Sequence, residues 1–182
     1  MRRADARRNI EAIVEAAART LSENPRAVMQ QIAEEAGLHR ATVHRHFASR
    51  DDLIVAVRRR SLDALGQQLT EVLSGPERPS GEMLDLVVRT MLEVGDRYRV
   101  YQYTTWHDAT IEERRGELSE PVFRLLTTAQ KDGQVRGDVS VEMLAAALGG
   151  LIWAVLPHIA RGTMTTDEAV AFVRVMLGAP AA

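Results

Sequence analysis

The chain has no cysteine, which excludes disulfide bridges and thiolate metal sites. Aromatic residues make up only 4% of its 182 residues, and no stretch alternates with the period of two that is typical of strands. The N-terminal sequence, rich in arginine, lacks the apolar run of a signal peptide. These absences favour a cytoplasmic, all-α protein, whose organisation depends on where its helices begin and end.

The most informative segment is residues 32–47, which predicts two short helices separated by a glycine. The first is expected over 28–36 and should stop at Gly37, because glycine takes a positive φ at a helix end without penalty. The second is expected over 39–47. Two helices joined by so tight a turn form a helix-turn-helix, whose second helix lies in the DNA major groove. A generic helical hairpin is the alternative.

The second of these helices has a polar surface of hydrogen-bond donors without a carboxylate, which suits phosphates and purine edges. Charge along the chain is also uneven: residues 1–50 have a net charge of +3, whereas residues 51–182 have a net charge of −5. This asymmetry indicates a DNA-binding head on a body that does not bind DNA. A merely solvated face is the alternative. The donor residues are Arg40, Thr42, His44, Arg45 and His46.

Residues 9–57 resemble the TetR (tetracycline-repressor-like) family of bacterial transcriptional regulators. The resemblance rests on Ile32-Ala33-x-x-Ala36-Gly37, on Thr42-Val43-x-Arg45-His46-Phe47 and on Ser49-Arg50-x-x-Leu53. It implies that Gln30 approaches DNA from the first motif helix and that Arg50 takes the place of a phosphate-contacting lysine. The chain departs from the family pattern by having Val28 for a hydroxyl residue, His39 for a capping serine, Ala41 for glycine and His44 for tyrosine.

Helical periodicity continues beyond the motif and predicts two domains. Residues 1–50 are expected to form the helix-turn-helix domain, and the family resemblance implies that the helical residues 51–182 form an effector-binding and dimerisation domain. A long helix over 50–73, capped by Ser49, links them. The other predicted helices are 5–22, 81–96, 98–107, 109–117, 120–131, a helix after Ser140 to about 160, and 166–177 with capping-box spacing at Thr165 and Glu168.

Residues 143–160 contain no formal charge, which is unusual for an exposed helix. A membrane span is one interpretation, but Gly149, Gly150, Pro157 and His158 interrupt the segment, and we expect no membrane partner. A helix apolar on all sides must be covered on all sides. The family resemblance implies a homodimer in which helices of about 140–160 and 166–177 pair with their copies in a four-helix bundle. An entirely intramolecular core helix is the alternative.

The segment Tyr98–Asp108 holds four of the eight aromatic residues of the chain. In the family, helices of this region enclose an effector cavity, and apolar walls with a few polar groups are typical of a small-molecule site. In a helical domain, however, aromatic side chains more often belong to the ordinary core, and core is the favoured interpretation at each individual position. The candidate effector-binding residues are Met91, Tyr98, Tyr101, Tyr103, Trp106, His107, Phe123 and Trp153.

Catalytic signatures are missing: the sequence has no Walker-type loop, Gly-x-Ser-x-Gly elbow or His-Glu-x-x-His motif. Its five histidines do not form a ligand set, so we expect no metal, no cofactor and no enzyme. The sequence predicts a regulator, expected to be a repressor, that a small apolar or amphipathic effector releases from a palindromic double-stranded DNA operator. The alternatives are an architectural DNA-binding protein without an effector and a helical enzyme.

Overall fold

The computed structural model describes residues 2–99 and 109–178, with side chains from residue 5 to 99, at 113, and from 116 to 178. Within these ranges it consists of eight α-helices and contains no strand, which confirms the all-α prediction. The helices are α1 (Arg2–Glu23), α2 (Met29–Glu35), α3 (Arg40–His46), α4 (Arg50–Leu73), α5 (Ser80–Tyr98), α6 (Ala109–Lys131), α7 (Val141–Ala160) and α8 (Thr166–Leu177).

The described residues fall into two compact units. The first comprises residues 2–63, 97–99 and 109–111, and the second comprises residues 64–96 and 112–178. The domain boundary predicted at residue 50 lies at the start of α4, whereas the first unit continues along this helix to Asp63.

The first unit is built around a small core in which α1 packs on α2 and α2 on α3. Ile13, Ala17 and Leu21 recur four residues apart on α1, and all are buried. Helices α2, α3 and α4 each have an apolar side as well, and their buried side chains pack in the same core as this stripe of α1. These side chains are Ile32, Ala33, Val43, Leu53 and Val57.

Helix α4 begins at the residue that the sequence predicts. Ser49 Oγ accepts from the Asp52 amide at 3.1 Å, and the Asp52 carboxylate accepts from the Ser49 amide at 2.9 Å. This reciprocal pair satisfies two amides that a helix start leaves without an intrahelical partner. Ser49 is therefore the cap of the long helix, as predicted.

The second unit contains α7 packed on α8, each with the predicted cap. Ser140 Oγ accepts from the Met143 amide at 3.3 Å, and Thr165 and Glu168 form a reciprocal capping box. Helices α5 and α7 approach closely at Gly95, where a Cβ would lie 2.7 Å from Leu156 Cδ1. The buried core residues of this unit include Leu84, Val88, Leu92, Leu126, Leu144, Leu148, Val155, Val173 and Leu177.

The break that the sequence predicts between residues 117 and 120 is wrong. The sequence predicts separate helices over 109–117 and 120–131, but α6 is continuous from Ala109 to Lys131 and contains Pro121. Proline removes one hydrogen bond, yet Val122, Leu125 and Leu126 follow it on a continuous buried face that stabilises the helix. The predicted helix over 98–107 lies outside the described residues except at its start, where Tyr98 is instead the last residue of α5.

Candidate nucleic-acid interface

The turn between α2 and α3 has the geometry that the sequence predicts. Gly37 has φ of 65° and follows Ala36, the C-cap residue of α2, and its amide donates to Glu34 O at 3.1 Å. The next amide, that of Leu38, donates to Ala33 O at 2.9 Å. These two bonds form a Schellman motif, which ends α2 sharply and lets α3 begin three residues later.

Helix α3 exposes its basic side chains on one side and buries Val43 on the other. Arg40, His44 and Arg45 are exposed. The exposed side of α3 contains no acidic residue, so it can accept a polyanion without like-charge repulsion from its own helix. His39, at the N-cap, makes no side-chain capping bond.

Two of the predicted DNA-binding side chains are only partly accessible. Thr42 and His46 are half-buried on α3. The Nε2 atom of His46 is buried and has no hydrogen-bond partner within the described part of the chain. A buried polar atom without a partner is costly, so this ring nitrogen is a local cost within α3.

Arg40 and His44 are joined on the surface of α3: Arg40 Nε donates to His44 Nε2 at 3.2 Å. On the preceding helix, Gln30 is exposed and its amide nitrogen donates to Glu34 Oε1 at 2.7 Å. At the start of that helix only one of the two bonds of a capping box is present. Gln31 Oε1 accepts from the Val28 amide at 3.0 Å, but the valine side chain has no acceptor for the Gln31 amide.

Arg50 lies at the first position of α4 and binds the turn between α1 and α2, residues 24–28, which we call the α1–α2 turn. Its Nε donates to Ala27 O at 3.1 Å and its Nη2 to Pro25 O at 2.5 Å. The sequence predicted a phosphate contact for Arg50. That contact stays a prediction, and what the structure shows is that two carbonyls of this turn accept hydrogen bonds from the guanidinium.

A polar cluster that the sequence did not predict forms around Glu15 of α1. The Glu15 carboxylate accepts from Arg60 at 3.1 Å and from Arg97 at 3.5 Å, and the Tyr98 hydroxyl also bonds to it. Tyr98 is 1% exposed, and Arg97 lies over its ring at 5.5 Å from the centroid. Burial, and after it the Glu15 charge, raises the pKa of Tyr98 above its usual range.

The proposed effector-binding residues are therefore distributed over both units. Tyr98 belongs to the first unit, in the Glu15 cluster, whereas Met91 and Phe123 are half-buried in the second unit. Trp153 is 42% exposed on α7. The other four, Tyr101, Tyr103, Trp106 and His107, lie outside the described residues.

Helices α7 and α8 expose an apolar face. By length and composition alone, helix α7 is long and apolar enough to cross a membrane. Only 28% of its most apolar window is buried within the single chain, so most of this apolar window is exposed. Ala146, Gly150 and Ala154 are exposed between its larger side chains. We call this surface the α7–α8 face; its large exposed members are Met143, Trp153, Phe172, Val175 and Met176.

A polar pocket of about 460 Å³ lies in the second unit at the start of α5. Ser80 Oγ donates to Asp132 Oδ2 at 2.5 Å, and Arg174 donates to Gly81 O at 2.7 Å. The first bond joins the start of α5 to the residue that follows α6, and the second joins α8 to the start of α5. The polar groups of the pocket therefore hold these three helices together. Sequence spacing gave no signal for these distant pairs. Among the described residues, no group of three or more potential ligands is arranged to hold a metal ion.

Comparisons with known proteins agree with this geometry. Residues 13–57 match the family model for bacterial regulatory proteins of the tetR family. The chain is 36% identical over 84 residues to the HTH-type transcriptional repressor LfrR of Mycolicibacterium smegmatis. That match covers 46% of this chain and 44% of LfrR, so the chain aligns with less than half the length of this curated relative.

The fold is shared with solved structures over nearly the whole chain. The structure of AibR in complex with isovaleryl coenzyme A and operator DNA has a TM-score of 0.73 at 19% identity, covering 95% of this chain and all of that one. The regulator PfmR from Thermus thermophilus has a TM-score of 0.72 at 18% identity, covering 93% and 99%. The helix-turn-helix residues 13–57 are therefore similar to the tetR family of bacterial regulatory proteins, and the fold is similar to that of solved regulators such as PfmR.

Proposed function

We propose that the protein is a homodimeric, ligand-responsive repressor that binds a palindromic operator through α3. The observation that carries this proposal is the exposed, acid-free surface of α3, on which Arg40, His44 and Arg45 stand above a buried Val43. An arginine in the major groove can donate two hydrogen bonds to guanine O6 and N7. Other donors of this surface, together with Arg50, would contact phosphates and set the register.

The α7–α8 face supports the homodimer. It also exposes the small residues Ala146, Gly150 and Ala154, and small residues allow two helices to approach closely. A two-fold interface places the same patch of both subunits against each other, so an apolar patch meets another apolar patch. Val175, which is 77% exposed, would leave water on dimerisation together with its neighbours. Two copies present two α3 helices, which is why the operator would be palindromic.

An effector would act on the second domain and lower operator affinity. AibR, whose fold is similar, has been solved with isovaleryl coenzyme A and operator DNA together. The acyl group of such a ligand is apolar, and Met91 and Phe123, which are half-buried in the second unit, are candidate residues to contact it. A cytoplasmic protein is implied, since operator DNA and such metabolites meet there. If effector binding weakens operator binding tenfold, the operator must weaken effector binding by the same factor, about 1.4 kcal/mol of coupling.

The first experiment is selection of bound genomic DNA fragments by the full chain. The expected result is a single enriched motif with two inverted half-sites about one helical turn apart. An Arg40→Ala, Arg45→Ala variant is the control, and it should enrich no motif while remaining helical. Enrichment of fragments without any shared motif, or by the variant as well, would contradict the proposal and favour an architectural DNA-binding protein.

The second experiment uses the selected operator and tests acyl-coenzyme A thioesters, beginning with isovaleryl coenzyme A. Operator affinity is measured at fixed salt with and without each compound. A compound that lowers affinity should itself bind the DNA-free protein, with the same ratio of affinities in both directions. Substrates and products of the enzymes encoded beside the selected operator form the next set. If none of these compounds alters operator affinity, the ligand-responsive part of the proposal fails while the DNA-binding part stands.

A further inference from the structure

Two residues on the exposed side of α3 are already bonded to each other before any DNA is present. Arg40 Nε donates to His44 Nε2 over 3.2 Å, and both side chains are exposed. The two positions are one helical turn apart, so they lie on the same side of the helix. His44 stands four residues closer to the C-terminus of α3, and its ring therefore sits beside the guanidinium of Arg40.

The direction of this bond fixes the state of the histidine. Arginine has five N–H donors and no acceptor, so Nε2 of His44 must be the acceptor. The ring then carries its proton on Nδ1. The arginine side chain has a high rotamer entropy, and a bond at Nε restrains the plane of its guanidinium. The bond at Nε leaves the outer edge of the guanidinium, formed by Nη1 and Nη2, directed away from His44.

We propose that His44 is a positioning residue for Arg40: it holds the guanidinium so that the Nη1 and Nη2 edge is presented to a guanine. The inference rests on the proposed operator binding and assigns its specificity to a pair of side chains. Two parallel N–H donors match O6 and N7 of guanine, and prior orientation of the donors lowers the ordering cost of the contact. His44 then contributes to sequence preference through Arg40 and not through a base contact of its own.

A double-mutant cycle on operator binding tests the proposal. The variants are Arg40→Ala, His44→Ala and the double variant, each measured against the selected operator and against duplexes with every base substitution in one half-site. We expect Arg40→Ala to reduce discrimination about tenfold at one guanine position. His44→Ala should reduce discrimination at that same position about threefold to tenfold, and it should have no further effect in the Arg40→Ala background.

Two further variants separate hydrogen bonding from shape. His44→Gln offers an amide oxygen that can accept from Arg40 Nε, so it should retain most of the discrimination. His44→Phe has a ring of similar width but no acceptor, so it should behave like His44→Ala. The proposal is overturned if the effects of His44 and Arg40 add independently, if they fall on different base positions, or if His44→Phe binds and discriminates like the wild type.

A DNA-free measurement keeps this result separate from the proposed function. Long-range ¹H–¹⁵N spectra of the full-length protein report which ring nitrogen of His44 carries the proton. The wild type should show the Nδ1–H form of the neutral ring, and Arg40→Ala should lose that preference. An Nε2–H form in the wild type would overturn the proposal whatever the protein binds. Failure to select any operator, with the Nδ1–H form present, would instead overturn the proposed function and with it the role of Arg40 toward guanine, while the Arg40–His44 bond itself would stand.

Discussion

Substitutions of Arg50 can separate the effect of its positive charge on operator binding from the effect of its hydrogen bonds. Its guanidinium donates to the carbonyls of Ala27 and Pro25, in the turn that precedes α2. It also occupies the place of a phosphate-contacting lysine in the family resemblance. Arg50→Lys keeps the positive charge, but an ammonium on a flexible stem cannot reproduce the planar fork that reaches both carbonyls. Arg50→Ala removes both charge and fork.

The expected magnitudes differ for the two variants. Each phosphate neutralised contributes about −0.9 to the slope of log affinity against log salt, so losing Arg50 from both subunits of a dimer should flatten the slope by ~1.8. Arg50→Lys should leave the slope unchanged. A hydrogen bond to a charged group contributes about 1.5–3 kcal/mol, so losing one of the two should lower operator affinity at least roughly tenfold at every salt concentration.

Fluorescence anisotropy with the selected operator at several salt concentrations gives slope and affinity together. Arg45→Lys, an exposed position whose charge is likewise kept, is the matched control and should leave the α1–α2 turn intact. Amide exchange at Ala27 and Met29 should quicken in Arg50→Lys and not in the control. If Arg50→Lys binds as tightly as the wild type, the carbonyl bonds do not support DNA binding. If Arg50→Ala keeps the wild-type slope, Arg50 contacts no phosphate.

Three further predictions concern other parts of the structure. Arg40→Ala should relax preference at one base pair per half-site, at a cost of ~1–3 kcal/mol, measured by competition with a base-substitution panel. Val175→Glu would bury a charge in the α7–α8 face and should give a monomer by sedimentation, whereas Gln67→Glu, which adds the same charge at an exposed site on α4, should stay dimeric. Tyr98 has a raised pKa in the fold, so its stabilising contribution is complete below about pH 10 and is lost as pH rises further. Chemical unfolding between about pH 9 and 11 should therefore show a flatter loss of stability in Tyr98→Phe than in the wild type.

The helix-turn-helix was predictable because its determinants are local. The positive φ of Gly37, the cap at Ser49 and the capping box at Thr165 each depend on residues within four positions of one another. Local propensity and hydrogen bonding decide such features before tertiary contacts form. The bounds of α4 and α8 were predicted correctly for the same reason.

The partners of Arg50 and Tyr98 could not be predicted in this way. Arg50 lies 23 residues from Ala27 along the chain, and Tyr98 lies 83 residues from Glu15. Nothing in the spacing of an arginine or a tyrosine indicates which distant carbonyl or carboxylate it meets. The aromatic composition of the segment suggested either a ligand cavity or an ordinary core, with core favoured at each position, and in the fold Tyr98 is buried beside a carboxylate in the first unit. The continuity of α6 through Pro121 was missed because a buried face offset a local penalty.

The two proposed interaction surfaces differ in chemistry: the exposed side of α3 is basic, and the α7–α8 face is apolar. Binding through one surface depends on association through the other. A single α3 has seven residues and offers one short basic surface, too small an area for tight, sequence-specific binding on its own. The α7–α8 face is apolar and exposed, which a monomer in water tolerates poorly when the side chains are contiguous. Pairing two copies through the apolar face removes that cost and links two basic surfaces, so the second half-site is bound at a high effective concentration. Affinity for DNA and burial of the α7–α8 face are then two consequences of one association, and an effector that alters the geometry of the dimer can change operator affinity without contacting α3.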